Sequence, residues 1–190
     1  LDFIHCKEEG GITNFNISVG ITDKFMEAYK EGGDYELINP KTKGSSGKLS
    51  AKLVFDEIVK SAWKTGDPGI IFIDRMNDGA SNPVPLLGPI ESTNPCGEVP
   101  LYPFDSCNLG SIFLTYFVEN TGGVKDVDWE KLGQVTRTAV RFLDGVIEIN
   151  PYTLPQIRQT SLAIRRVGLG VGGWADLLIE LGIPYDSDEA

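Results

Sequence analysis

The chain has 190 residues, 41% hydrophobic, with 17 Lys and Arg against 27 Asp and Glu and a formal net charge of −10. That length builds one domain with a real core. The acidity argues against a nucleic-acid polymer as partner but not against a single nucleotide held by backbone amides and helix N-termini. No run of about 18 apolar residues could span a membrane. The opening Leu1-Asp2-Phe3-Ile4-His5 lacks the basic and apolar regions of a signal peptide.

Leu1 to Lys7 reads as the end of a helix, broken by Glu8-Glu9-Gly10-Gly11 into a charged loop. Ile12 to Val19 alternates apolar and polar residues at Phe15, Ile17 and Val19, the pattern of a strand. Thr22 or Asp23 caps a helix to about Lys30, ended by Gly32-Gly33. Asn39 to Gly47 is a polar surface turn without the Gly-Lys-Ser/Thr order of a phosphate loop. Ser50 to Lys64 is an amphipathic helix, and Gly66-Asp67-Pro68-Gly69 a turn. Ile70 to Asp74 is a continuous apolar run suited to a strand covered on both faces.

Leu109 to Val118 suits a strand or a buried helix equally. Asp128 to Ile149 is the clearest helix, with Asp128 as cap and Asn150-Pro151 as stop. Leu154 to Arg166 starts another helix with Pro155 in its first turn. Val171 to Leu181 reads as a helix ended by Gly182 and Pro184. Gly168 to Gly173 fits GxGxxG, but a dinucleotide fold needs a strand just before it. The preceding stretch is basic and helical, so the glycines are expected to let a helix pack closely.

Of the three cysteines, Cys6, Cys96 and Cys107, none forms a CxxC, and there is one His. No metal site is expected, because adjacent His5 and Cys6 make a poor chelate. Cysteines without an export signal fit a reducing, cytoplasmic setting. Cys96 lies in Glu91-Ser-Thr-Asn-Pro-Cys-Gly-Glu98, and Pro83, Pro85, Pro89, Pro95, Pro100 and Pro103 exclude a long helix or central strand there. An extended chain would place Asn94, Cys96 and Glu98 on one face, toward a small substrate. The same residues also suit a turn with a small buried thiol.

The ordered blocks Asn94-Pro-Cys-Gly-Glu98 and Ser106-Cys-Asn-Leu-Gly-Ser111 resemble the catalytic loop of ribonucleotide reductases. Asn14-Phe-Asn-Ile-Ser-Val19, Gly66-Asp-Pro-Gly-Ile-Ile-Phe-Ile-Asp74, Arg141-Phe-Leu-Asp144 and Gly168-Leu-Gly-Val171 extend the likeness over nearly the whole chain, in family order. Pro95 and Gly97 beside the cysteine favour the adenosylcobalamin-dependent class over the oxygen-dependent one. Gly172 and Val99 depart from the common family residues.

The resemblance implies an α/β fold, part of a ten-stranded α/β barrel with a central finger loop carrying the radical cysteine. Residues 1–190 would be an internal segment of that catalytic domain, incomplete at both ends. It implies ribonucleotide reduction by a thiyl radical on Cys96, with Glu98 as base toward the 3′-hydroxyl. Asn94, Ser92 and Thr93 would bind substrate, and Cys107 would be one of two reducing thiols. The partner of Cys107 is expected on an earlier strand; Cys6 does not match it. Glu8, Glu9, Gly10, Gly11, Ile12 and Thr13 correspond to the loop that reports which dNTP or ATP effector is bound. Adenosylcobalamin is the implied cofactor. A thioredoxin-like or glutaredoxin-like reductant and the remaining parts of the enzyme are the implied partners. The alternatives are an oxygen-dependent reductase subunit and an orphan fragment with a structural role only.

Overall fold

In the computed structural model, which describes residues 1–8 and 10–190, the chain divides into two units, Leu1–Pro103 and Phe104–Ala190. The first unit runs α1 (Asp2–His5), β1 (Ser18–Ile21), α2 (Asp23–Glu31), β2 (Asp34–Ile38), β3 (Ser45–Ser50), α3 (Ala51–Thr65), β4 (Gly69–Phe72), α4 (Ile73–Met76), β5 (Ser92–Thr93) and β6 (Pro100–Leu101). Thr22 caps α2 by accepting from Phe25 N at 3.1 Å, and Ser50 caps α3 by accepting from Leu53 N at 3.3 Å. Each hydroxyl satisfies an amide that has no partner within its helix. Gly32 and Gly66 close the two helices at φ 66° and 84°, a conformation that favours glycine.

β1 and β4 pair in parallel from Ser18↔Gly69 to Ile21↔Phe72. Parallel neighbours need a long crossover, which α2, the β2–β3 hairpin and α3 supply. The crossover buries Ile21, Phe25, Ala51, Val54 and Ile58 in one core with Ile4. Phe25 meets Tyr35 edge-on at 5.0 Å between centroids.

The proline-rich stretch between α4 and β6 lacks many backbone donors, and two side-chain amides, half-buried Asn77 and buried Asn82, organise it. Asn77 donates to Ile90 O at 2.9 Å and accepts from Ile90 N at 2.7 Å. Asn82 donates to Gly88 O at 3.1 Å and accepts from Val84 N at 3.2 Å and from the Tyr102 hydroxyl. Ile90 and Tyr102, both buried, flank the base of the β5–β6 hairpin.

The second unit runs β7 (Asn108–Phe113), β8 (Val118–Thr121), β9 (Val124–Val127), α5 (Trp129–Ile149), α6 (Pro155–Ile164), β10 (Val167–Gly172) and α7 (Trp174–Leu181). β7 and β10 are parallel, from Val167↔Asn108 to Gly172↔Phe113. Asp128 caps α5 by accepting from Lys131 N at 2.9 Å. Ile112, Leu114, Phe117, Val127 and Leu177 form the core of this unit. Arg165 closes α6 in the left-handed region and grips α5 through Asp144 at 2.8 Å and Glu148 at 2.5 Å.

Among the described residues the strands form five two-stranded sheets, two parallel and three antiparallel, and no closed barrel. Closure needs a partner on both edges of every strand, and each strand here has one. Several expectations are corrected. β4 is not covered on both faces: Ile70 and Ile71 are half-buried and Phe72 exposed. It also stops at Phe72, leaving Asp74 in α4. The expected strand from Ile12 shrinks to Ser18–Ile21, because Ile12 takes a positive φ and Phe15 points to solvent.

The Leu109–Val118 stretch is strand as far as Phe113, then a 3-10 turn over Leu114–Phe117. The residues expected to begin the last helix at Val171 belong to a strand, and the helix starts at Trp174. The GxGxxG glycines therefore bring strand to strand. A Cβ on Gly168 would lie 2.4 Å from Leu109 Cδ2, its neighbour across the pair.

Candidate functional site

Cys96 sits at the apex of the β5–β6 hairpin. Ser92↔Leu101 and Thr93↔Pro100 form its ladder, and Asn94 N donates to Val99 O at 3.1 Å. Gly97 N donates to Asn94 O at 3.0 Å, closing a turn with Asn, Pro, Cys and Gly in succession. That order suits a type I turn, with Pro presetting the first central φ and Cys96 avoiding positive φ. The extended-loop reading is thus replaced by a tight turn. Asn94 and Glu98 come together by facing each other across it, rather than by alternating along a strand.

The side chain of Asn94 serves both ends of that turn. Its Oδ1 accepts from Val99 N at 2.9 Å, and its Nδ2 donates to Glu98 Oε1 at 2.5 Å. Thr93 Oγ1 donates to Asn94 O at 2.9 Å. Asn16 Nδ2 donates to Pro95 O at 2.8 Å and ties the apex to the segment before β1. The Cys96 thiol is free and exposed. Ser92, Thr93 and Asn94 line one side of a cavity of about 590 Å³, with Asn16, Ser18 and Ile71 on the other. A thiol, a carboxylate and an amide therefore stand within one turn, and the amide lines a cavity of mixed polar and apolar side chains.

The loop from Glu8 to Thr13 is anchored at its start. Ser61, fully buried on α3, donates to Glu8 Oε1 at 2.6 Å, and Lys64 Nζ lies 2.8 Å from Oε2. The Lys64 hydrogen bond, followed by that of Ser61, holds the Glu8 carboxyl below its ordinary range. Glu9 lies outside the described residues. A Cβ on Gly11 would stand 2.6 Å from the Cys6 carbonyl, so the chain can pass there only as glycine. Gly10 and Ile12 take positive φ, and Ile12 and Thr13 are exposed.

Cys107 belongs to the second unit, just before β7. It is half-buried, with Sγ 3.5 Å from Asn108 O, and it lines a cavity of about 150 Å³ with Ser106, Tyr152, Ser161 and Arg166. The Arg166 guanidinium binds Asp105 Oδ2 through Nε at 2.9 Å and Nη2 at 2.8 Å, with the Asp105 side chain fully buried. Ser106 Oγ and Ser161 Oγ are 2.6 Å apart. Burial raises the Cys107 thiol above its ordinary range, Arg166 opposes that and Asp105 adds to it.

Asn16, Asp105 and Arg166 were not singled out from the sequence. Asn16 reaches its partner across 79 positions and Arg166 across 61, and no local pattern signals such pairs. The described residues contain no group of three His, Cys, Asp or Glu able to hold a metal ion, and no helix long and apolar enough to cross a membrane.

A family profile described as "Ribonucleotide reductase, barrel domain" matches residues 1–190. The chain is 47% identical, over its whole length, to 27% of a protein of Mycobacterium tuberculosis named vitamin B12-dependent ribonucleoside-diphosphate reductase. It is 46% identical to 24% of a protein of the same name from Thermoplasma acidophilum. Over 88% of its length it is 37% identical to a ribonucleoside-diphosphate reductase subunit alpha of Chlamydia pneumoniae. The chain thus spans about a quarter of the first two relatives. With a match from its first residue to its last, the chain belongs to the ribonucleotide reductase family and corresponds to its barrel domain.

Proposed function

We propose that this chain carries the radical cysteine of an enzyme that reduces ribonucleotides to deoxyribonucleotides. The observation that supports this most is the Cys96 turn, where an exposed thiol stands beside a hydrogen-bonded amide and carboxylate. In this reading β1–β4 and β7–β10 are parallel pairs of a ten-stranded α/β barrel, and the β5–β6 hairpin is its finger loop. The profile description and the two parallel pairs support it.

Cys96 as a thiyl radical takes the 3′ hydrogen: the C3′–H bond breaks, an S–H bond forms, and the unpaired electron passes to C3′. Glu98 accepts the 3′-hydroxyl proton. Asn94, already aimed at Glu98, holds the ribose hydroxyls with help from Ser92 and Thr93. The 2′-hydroxyl leaves as water. Cys107 and a second thiol supply two electrons and two protons and become a disulfide, Glu98 returns its proton to O3′, and Cys96 returns its hydrogen to C3′. A thioredoxin-like or glutaredoxin-like protein then reduces the disulfide.

The names of the Mycobacterium tuberculosis and Thermoplasma acidophilum relatives, 47% and 46% identical to the chain, support adenosylcobalamin as the radical source. The chain's fit to that cofactor is the exposure of the Cys96 thiol between Pro95 and Gly97, open to a large group. When bound, adenosylcobalamin supplies one-electron chemistry that no side chain can. The protein's part is placement and shielding. The loop Glu8, Glu9, Gly10, Gly11, Ile12 and Thr13 is assigned the response to dNTP or ATP effectors.

The test is made in the complete enzyme. Cys96→Ser abolishes both tritium release from the 3′ position and product formation. Cys107→Ser keeps tritium release and loses productive reduction. Equal release from both variants would count against these roles.

A further inference from the structure

The Cys107 thiol faces charges of both signs, and their arrangement suggests what they do. Arg166 approaches from the link before β10, and Asp105 from two residues upstream of the cysteine. Tyr152, from the link between α5 and α6, lines the same cavity and donates its hydroxyl to Ile147 O at 3.0 Å. Asp144 and Glu148 of α5 are turned to Arg165 instead. On the β10 side the sulfur faces Gly168, 3.7 Å from where a Cβ there would be. An arginine alone beside a cysteine would draw out the thiolate. Here that arginine is bound by a fully buried carboxylate.

We infer that Asp105 is a positioning residue that holds Arg166 and cancels its field at Cys107, so that the cysteine stays a protonated thiol. This rests on the reductant role proposed for Cys107. Two thiols that become a disulfide while a hydroxyl leaves as water must bring their protons, one with each electron. A thiolate would bring the electron alone and would be open to alkylation and wasteful exchange. Ser106 and Ser161, hydroxyl to hydroxyl at 2.6 Å, join the Asp105 segment to α6 and keep the pair in register.

The experiment is site-resolved alkylation of Cys107 by iodoacetamide across pH, read by mass spectrometry on the complete chain, native and in urea. The pH midpoint is the readout; burial raises it too, so the variants, which leave the burial in place, separate the Asp105 and Arg166 contributions from it. The native midpoint is expected above that in urea. Asp105→Asn moves it down, and Arg166→Gln moves it up. The double variant restores it, with circular dichroism unchanged. Each pH unit of downward shift raises the thiolate fraction tenfold, but the weaker nucleophile returns part of that, leaving about a threefold gain in rate at neutral pH. A native midpoint at or below that in urea overturns the inference, even if no variant folds. So does an Asp105→Asn midpoint that stays or rises. Failure of the reductant role shows separately, as a Cys107→Ser enzyme that turns over normally.

Discussion

The Asn94 amide donates to the Glu98 carboxylate at 2.5 Å while the same side chain accepts from Val99 N at 2.9 Å, so one residue both closes the Cys96 turn and aims the acid beside it. The two functions can be separated. Asn94→Asp keeps an acceptor for Val99 N but sets two carboxylates together, and like charges at that distance disfavour joint ionisation. Turnover of the complete enzyme is expected to fall while the hairpin survives. Glu98→Gln keeps an oxygen for the amide and removes the base, at an expected loss of about 10²–10⁴ in rate. Steady-state kinetics with hydrogen exchange at Val99 checks both. A Glu98→Gln enzyme of normal rate would remove Glu98 from the mechanism.

Two glycines with equally short approaches are expected to respond differently. At Gly11 the obstacle is the Cys6 carbonyl, part of the backbone, 2.6 Å from the new Cβ. At Gly168 it is the tip of Leu109, a side chain that is 63% exposed and free to turn away. Gly11→Ala should cost about 1–3 kcal/mol, as overpacking does. Gly168→Ala should cost under about 1 kcal/mol, since Leu109 rotates instead. Urea titrations of the two variants rank them.

The Glu8 anchor carries a pH dependence of definite sign. Lys64 and Ser61 depress the folded carboxyl below its ordinary 4.5. The stabilisation is therefore fully present above pH 4.5 and is lost as pH falls through the lower folded value. The difference in stability between the wild type and Glu8→Gln should shrink as pH drops from 5 toward 3. A difference that is constant across that range would mean the ion pair contributes nothing, as exposed pairs often do.

Asn82 is 5% exposed and uses both its amide groups. Asn82→Ala takes the side-chain donor from Gly88 O and leaves Val84 N only the Tyr102 hydroxyl, at 3.1 Å, in a segment where prolines have already removed donors. Each buried group left so costs about 1–3 kcal/mol. The lower melting temperature should come with faster exchange at Glu91 and Val99, whose amides hold the hairpin together. Tyr102→Phe, which removes one hydroxyl from the same cluster, should do the same more weakly.

The helices were legible because their signals are local. Asp128 caps a helix as read, Thr22 caps one as the first of the two residues offered, Ser50 caps the helix read as starting with it, and Gly32, Gly66 and Gly182 each close one. The strands were harder. Val167 to Gly172 has too few side chains to show any period, and only pairing with β7 makes it a strand. The β8–β9 hairpin had a usable signal, Gly122-Gly123 between two short runs.

The Cys96 turn divides in the same way. Asn-Pro-Cys-Gly favours a tight turn by itself, because Pro95 fixes one φ and Gly97, at φ 86°, permits another that a side chain would resist. The order of its residues also carries the family likeness. What the turn leans on was decided only by the tertiary structure. Asn16 holding Pro95, Ser61 holding Glu8 and Asp105 holding Arg166 are pairs far apart in the chain. Sequence alone sets which torsions and periodicities a segment favours. Which distant polar groups meet depends on how the segments pack, since a buried hydrogen bond is worth its desolvation only where folding has brought its partner within reach.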